Sequence, residues 1–427
     1  MIDLVDVVIP VYRGEAETRI CIESVLTART KIACEIVVID DASPEPSLSA
    51  WLRELAASGR ITLIVHETNR GFVASVNEGM ELHPDRDVVL LNSDTEVADG
   101  WIDRLAAHPR HHASIGTVTP FSTNATICSY PRTLADNAMP RGETTARLDA
   151  AFAAANPGHC VDIPTAVGFC MYITRACLDK VGTFDEARYG AGYGEEVDFC
   201  MRAARAGFRN VLAADVFVHH VGEVSFGDTG SDRRLKAQAL VDSLYPEFQT
   251  RLRTYLDANP ACDARRRADL ERLRRSPHPR VLFATGASGP EAESALREFT
   301  AALDDDREVL LLEFRDERHG ALTWSGREEE FALWFELRKD ARTLGAVLDA
   351  IAVSSIHLDA AHPPPRAIQD LQARMKRGPD DPMHSQASLP HLRPGHLRPP
   401  TAEEIAARRR PLAAPLRALA RFLGRGR

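Results

Sequence analysis

Short runs of β-branched and aliphatic residues alternate with stretches in which apolar positions recur every three or four residues, and this alternation dictates the opening of the chain. "VDVVI", residues 5–9, is a buried-strand pattern closed by Pro10. "RICIESVLTA" then sets Ile20, Cys21, Ser24, Val25 and Ala28 at helical spacing, and "CEIVVIDDAS" is a second strand that stops in two aspartates. The pattern repeats with "LSAWLRELAASG" as a helix closed by Gly59, "RITLIVHE" as a strand, "GFVASVNEGMEL" as a helix and "DVVLLNSDTEV" as a strand. Strand–helix–strand units build a parallel sheet, so a doubly wound α/β domain is expected over about the first 100 residues.

Residues 112–227 are less regular, with strand-like "SIGTVTPF" and "IPTAVGFCMYIT", a helix opening at Glu195, and "NVLAADVFVHHVGEVSFG". The spacing predicts a first domain over 1–227 and a polar, helix-favouring linker over 228–278. A second strand–helix–strand pattern, "RVLFAT", "PEAESALREFTAALDD" and "REVLLLEF", starts a Rossmann-like half-domain over 279–365 that ends at "HPPP". Beyond it the composition shifts to Pro, Arg and His. Residues 366–400 read as a poorly ordered linker within a basic tail over 366–427.

Composition narrows the class. At 427 residues with 44% hydrophobic and 26% charged positions, the chain reads as a soluble protein of two or three domains, and a net charge of −9 gives no global reason to bind nucleic acid. The opening enters a strand pattern without a leader, and no window nears eighteen apolar residues, so a cytoplasmic protein without a transmembrane helix is expected. Eight cysteines without a C-x-x-C pair read as reduced, buried thiols. The charge is uneven: residues 366–427 hold 13 basic against 5 acidic side chains. Leu412, Leu416, Leu419 and Leu423 recur among those arginines. Contact with the inner face of an anionic membrane is one reading of this tail, and a plain solvated tail, favoured by Pro411 and Pro415, is the other.

Candidate chemistry gathers at strand ends, where open α/β sheets bind ligands. Asp41 ends the second strand and Asp94, with Glu96, ends the fourth; singly, each also suits a turn. Glu195 and Glu196 follow "YGAGYG", and three glycines in six residues build a close-approach loop. Crowding the two acids raises the pKa of at least one, while the helix N-terminus opposes the shift. His219 and His220 end a strand and face opposite ways. A carboxylate for a base, another for a metal and an imidazole for the same metal are what a nucleotide-diphosphate substrate demands.

Together "VVIPVYRG", "EIVVIDDAS", "ETNRGFVASVNEGM", "VVLLNSDTEV", "PFSTNATICSYP", "PTAVGFCMYITRACLDKVGTFDE", "GYGEEVDFCMRA" and "VHHVGEVSFG" resemble the family-two inverting glycosyltransferases of the GT-A fold, in particular bacterial members that build cell-surface polysaccharide. The resemblance implies a nucleotide-sugar donor such as a UDP- or dTDP-sugar, a saccharide or lipid-linked saccharide acceptor, and Mg2+ or Mn2+. It implies that Pro10, Tyr12 and Asp41 line the base pocket and that Arg70, Gly71 and Asn77 border the donor. Asn92, Ser93 and Asp94 stand for the Asp-x-Asp element, with Asp94 and His220 on the metal and Glu196 as the catalytic base.

The chain departs from that pattern twice. Asn92 replaces the first acid, so Glu96 is considered as a further metal ligand. The base is Glu where Asp is frequent, which keeps Glu195 in consideration. Residues 279–365 are similar to the N-terminal half of a GT-B glycosyltransferase without the half that should follow, and no independent transferase activity is expected there. Two alternatives remain: a catalytically silent sugar-nucleotide-binding or scaffold protein, and a sugar-phosphate nucleotidyltransferase. The latter requires a basic, glycine-rich loop after the first strand, whereas "PVYRGEAETR" offers one glycine.

Overall fold

A computed structural model describes residues 4–190, 192–222, 230–303, 307–314, 319–324, 332–374, 390, 392 and 394–397. It divides into two compact units, 1–261 and 262–411.

The first unit is built on a sheet of eight strands: β1 Leu4–Val11, β2 Ala33–Asp40, β3 Thr62–Val65, β4 Val88–Leu91, β6 Ile115–Phe121, β7 Cys160–Asp162, β8 Cys170–Ile173 and β9 Arg209–Phe217. Their order is β3-β2-β1-β4-β8-β6-β9-β7. β1 pairs in parallel with β2 and β4, and β2 with β3, as the opening alternation predicts. β8 runs antiparallel between β4 and β6. The fully buried Val7, Val8, Ile9, Val37, Val38 and Ile39 explain why the central strands read as unbroken apolar runs. Two further strands, β5 Thr95–Glu96 and β10 His219–His220, form a separate antiparallel ribbon, with His219 opposite Glu96 and His220 opposite Thr95.

The helices on this sheet start where local chemistry allows. Pro46–Ala57 opens with proline in its first turn, and Thr145–Ala155 is capped by Thr144, whose side chain accepts the Arg147 N–H. Of "IPTAVGFCMYIT" only residues 170–173 are strand; residues 164–169 form a loop across the strand ends, because Pro164 lacks a ladder donor and the Asn92 N–H donates instead to Phe169 O at 2.8 Å.

The expected linker is shared between the two units. Helices Gly230–Leu244 and Phe248–Ala258 fall within the first, where Tyr245 OH donates to Asp198 Oδ1 at 2.6 Å and Arg205 pairs with Glu247 at 3.0 Å. Helix Cys262–Arg275 falls within the second and buries Leu270 and Leu273 in that unit's core.

The second unit holds a five-stranded sheet of β11 Arg280–Thr285, β12 Glu308–Phe314, β13 His319–Trp324, β14 Ala332–Glu336 and β15 Val353–Leu358, in the order β14-β13-β12-β11-β15. β11 pairs in parallel with β12 and β15, as the Rossmann-like pattern predicts, while β13 and β14 add an antiparallel extension that the periodicity did not suggest. The reading of 366–400 as poorly ordered is corrected in part. Arg366–Arg374 is a helix, anchored by the buried Ile368. Leu412, Leu416, Leu419 and Leu423 lie outside the described residues. Among the described residues no helix is long and apolar enough to cross a membrane. All eight cysteines are free, six of them buried.

Candidate active site

Candidate chemistry stands at two acidic strand ends and one helix start, and the second strand end and the helix both touch the loop of residues 164–169. At the first strand end, β2 stops in Asp40 and the buried Asp41. Asp40 holds the turn, accepting the Ser43 N–H at 2.9 Å and the Ser49 hydroxyl at 2.6 Å. Asp41 Oδ1 accepts from His66 Nδ1 and the Arg70 N–H, each at 2.7 Å, and Oδ2 accepts the Gly71 N–H at 2.8 Å. The network continues outward, with His66 Nε2 3.0 Å from Glu78 and Arg70 Nη1 donating to Glu78 at 2.7 Å. Asp41, Arg70 and Gly71 are thus brought together as expected, but Asp41 already organises the loop of residues 66–71. Pro10 lies on β1 beside Ile39 of β2, and the Tyr12 ring just beyond carries the Arg13 guanidinium 5.1 Å from its centroid. Asn77 serves packing: its amide donates to Phe184 O at 2.9 Å and accepts the Phe184 N–H at 3.0 Å, so both polar ends brace the helix Phe72–Glu81.

At the second strand end, β4 gives way to Asn92, Ser93 and Asp94, the last two buried. Asp94 Oδ1 lies 3.3 Å from His220 Nε2, and Oδ2 accepts the Gly222 N–H at 2.9 Å. The β5–β10 ribbon sets this contact, and the Val221 N–H closes it by donating to Asp94 O at 3.1 Å. His220 Nδ1 sits 2.6 Å from Asn124 O. A carbonyl only accepts, so Nδ1 carries a proton there and Nε2 is the ring atom that faces Asp94. An imidazole nitrogen and a carboxylate oxygen meet favourably across a proton or a cation. Burial pushes the Asp94 carboxyl up, but the His220 ring and the Gly222 N–H outweigh it and hold the carboxyl below its usual range.

A carboxylate oxygen and an imidazole nitrogen so arranged fit a divalent cation of the Mg2+ or Mn2+ kind. Glu96 is not brought to them. It lies opposite His219 and accepts the Thr145 hydroxyl, and among the described residues it forms no three-ligand cluster with Asp94 and His220. Burial keeps His219 below its ordinary value against the opposing pull of Glu96, and Thr123 Oγ1 meets its Nδ1 at 2.9 Å. Among the described residues the one cluster of three, Asp6 with Glu35 and His83, already holds the Arg86 guanidinium, which bonds both carboxylates. Residues 223–227 of "VHHVGEVSFG" lie outside the described residues.

The third element is the helix Glu195–Arg205, which opens at Gly194 in the left-handed region. Glu195 is buried and Glu196 partly so, and the Oε2 of each is shielded without a hydrogen-bond partner. Burial lifts both carboxyls above the ordinary value; the charge of Glu196 adds to the rise at Glu195, while backbone N–H groups at the helix start temper it at Glu196. One turn on, Cys200 Sγ accepts the Ala166 N–H at 3.2 Å. Three residues further the Phe169 ring stacks on His220, with centroids 5.1 Å apart and planes at 21°. The loop therefore joins the helix bearing the two glutamates to the Asp94–His220 pair. Its role, like those of Thr123, Asn124 and Gly222, was not assigned from the sequence, although the segments carrying them were singled out.

Comparisons with known proteins cover part of the chain. Residues 6–179 match the family model described as Glycosyl transferase family 2, a span that ends before Glu196 and His220. "Uncharacterized protein y4gI" of Sinorhizobium fredii (strain NBRC 101917 / NGR234) is 21% identical over 260 residues, 58% of this chain and 28% of that protein. "Uncharacterized glycosyltransferase YibD" of Escherichia coli (strain K12) is 31% identical over 91 residues, 21% of this chain and 26% of that protein. The chain thus spans well under two thirds of either relative. The mannosyltransferase PcManGT from Pyrobaculum calidifontis, solved in complex with GDP-Man and Mn2+, is 18% identical with a TM-score of 0.40, covering 70% of this chain and 81% of that one. The family match and the sheet order agree on the fold class expected from the motifs, a GT-A type of α/β fold followed by a smaller α/β unit.

Proposed function

We propose that the first unit is an inverting glycosyltransferase that moves a sugar from a nucleoside-diphosphate donor, a UDP- or dTDP-sugar, to a hydroxyl of a saccharide or lipid-linked saccharide used in cell-surface polysaccharide. The observation that carries this reading is the Asp94–His220 pair, a carboxylate oxygen and an imidazole nitrogen 3.3 Å apart at a strand end, joined through the loop of residues 164–169 to two carboxyls with shielded oxygens at a helix start. Asp94 Oδ1 and His220 Nε2 would hold a divalent cation, which when bound would supply charge to offset the departing diphosphate. Asn92 contributes at most a neutral amide, so the site is less anionic than a paired-aspartate one.

The protein's own groups account for the proton. Glu196 Oε2, shielded and without a hydrogen-bond partner on a partly exposed residue, accepts the proton of the attacking hydroxyl as its oxygen bonds to the anomeric carbon and the bond to the diphosphate breaks. Burial and the neighbouring Glu196 charge favour the neutral form of Glu195, which spares its neighbour a second negative charge. Release of nucleoside diphosphate from a panel of UDP-, dTDP- and GDP-sugars, with Mn2+ and with EDTA, tests the reading. Metal-dependent release lost in Glu196→Gln, by about 10²–10⁴ in rate with donor binding retained, is the expected result. Release from none of the donors, with any acceptor, would favour a silent sugar-nucleotide-binding protein.

For the second unit the same reasoning favours a non-catalytic module. An open α/β sheet binds ligands beyond its strands' carboxyl ends. There the chain covers itself: the Gly286 N–H donates to His362 O at 2.7 Å, and a Cβ on Gly286 would stand 2.5 Å from Pro363 O.

A further inference from the structure

The cation reading leaves one problem. An imidazole on a two-residue strand is free to rotate about its side-chain bonds, and a ligand nitrogen is useful only if it is held in one direction. Two contacts hold the His220 ring and one holds its backbone. Its Nδ1 meets Asn124 O at 2.6 Å, and the Thr123 hydroxyl donates to the His220 backbone carbonyl at 3.0 Å. The third contact is the Phe169 ring, buried to 2% exposure and stacked 5.1 Å away at 21°. A hydrogen bond at one ring atom leaves the plane free to swing about it, whereas a flat aromatic face against the imidazole removes that freedom.

Phe169 does a second thing with its backbone. Its carbonyl accepts the Asn92 N–H at 2.8 Å, which fixes the start of the Asn92–Ser93–Asp94 turn. One residue therefore touches both halves of the pair, the carboxylate arm through its main chain and the imidazole arm through its ring. Phe152 and Phe217 stack at the same 21° in this unit's apolar core, so what sets Phe169 apart is its partner, an imidazole beside a carboxylate, together with its main-chain bond to Asn92.

We propose that Phe169 is a positioning residue for the cation: its ring holds His220 with Nε2 directed at Asp94, and a flat ring at position 169 sets how tightly Mn2+ binds. This rests on the reading of Asp94 and His220 as the cation pair. Substituting an aliphatic side chain of similar bulk keeps the backbone contact to Asn92 and removes the flat face. The effect expected is that of losing an outer-shell support for a metal-ligating histidine, about 10- to 100-fold in metal affinity.

The test is thermal unfolding of the full chain titrated with MnCl2 in the presence of UDP, on the unsubstituted protein, Phe169→Leu, Phe169→Met, Phe169→Tyr and His220→Ala. Support is a rise in melting temperature for the unsubstituted protein that is lost in His220→Ala. In Phe169→Leu and Phe169→Met the rise needs at least tenfold more Mn2+, and in Phe169→Tyr it returns. The Mn2+ concentration giving half-maximal donor hydrolysis should move in parallel while kcat at saturating Mn2+ changes by less. The two aliphatic variants guard against one that fails to fold, and their metal-free melting temperatures identify it. Equal Mn2+ dependence in the unsubstituted protein and the aliphatic variants, with His220→Ala still defective, overturns the role of Phe169 alone. No Mn2+ response in the unsubstituted protein, or an unaltered one in His220→Ala, overturns the cation pair itself and this inference with it.

Discussion

Gly222 donates its backbone N–H to Asp94 Oδ2 at 2.9 Å, across 128 positions of sequence. The geometry depends on glycine. Its φ is +80°, and a Cβ there would lie 2.1 Å from Asn124 Nδ2, whose own backbone carbonyl fixes His220. Gly222→Ala should therefore cost about 1–3 kcal/mol of stability from backbone strain alone. It should also displace Asn124 and weaken Mn2+-dependent donor hydrolysis. Urea unfolding and a Mn2+ titration of hydrolysis check the two effects separately.

The paired glutamates predict an unusual pH dependence. A buried carboxyl whose pKa is raised in the folded state holds its proton longer there than in the unfolded chain. It costs nothing below the ordinary value of 4.5 and becomes destabilising as pH climbs above that value. Glu195→Gln should accordingly be more stable than the unsubstituted protein near pH 7–8, by about 1.4 kcal/mol for each unit by which the pKa is raised. The gain should vanish below about pH 4. Unfolding free energies of both proteins across that range decide it, and a variant less stable at pH 8 would contradict the burial argument.

A buried pair away from the site behaves in the opposite sense. His108 Nε2 lies 3.0 Å from Asp215 Oδ1, and Asp215 Oδ2 accepts the Gly158 N–H at 2.9 Å. Burial pushes His108 down, but Asp215 and Cys160 together raise it to about 9. A raised histidine stabilises the fold fully below its ordinary value of 6.5, and that contribution is lost as pH rises through about 9. Stability should fall across this window with a slope of at most about 1.4 kcal/mol per pH unit, and His108→Gln should flatten it.

Asp41 offers a test of structure against recognition. Three donors meet its carboxylate before any ligand arrives. Asp41→Asn turns an amide NH2 toward at least one of them, and leaving such a buried donor unmet costs about 1–3 kcal/mol. The loss should appear in urea unfolding without nucleotide. A variant that kept full stability and lost only UDP binding would show that the carboxylate serves the base and not the loop.

The parts legible in the sequence were those with short-range causes. β1 to β4 and their helices follow from runs such as "VDVVI" and "EIVVID", where burial on both faces leaves an unbroken apolar signature. β13 and β14 were not read because "HGALTW" and "ALWFE" are short and separated by a polar stretch, so their pairing rests on register with β12 and not on local pattern. Arg366–Arg374 was hidden by the proline-rich composition around it, although Ile368 and Leu371 are the apolar positions it packs. At the site, residue types at strand ends pointed to Asp41, Asp94 and His220, and a glycine-rich helix start pointed to Glu195 and Glu196. No local signal could say that Asn77 spends its amide on Phe184, that Glu96 turns to Thr145, or that Phe169 lies flat on His220. Those are contacts between segments 107, 49 and 51 positions apart, fixed by topology.

The β5–β10 ribbon has a consequence for how the protein matures. Its two strands come from before the helix Trp101–His111 and after β9, so the intervening polypeptide must find its place before they can meet. Long loops close late because their ends are entropically costly to join. On the proposed reading, late arrival of the imidazole beside its carboxylate would complete the cation site, and affinity for Mn2+ would become a readout of completed assembly: a partly folded chain could possess most of its helices and still be blind to the ion.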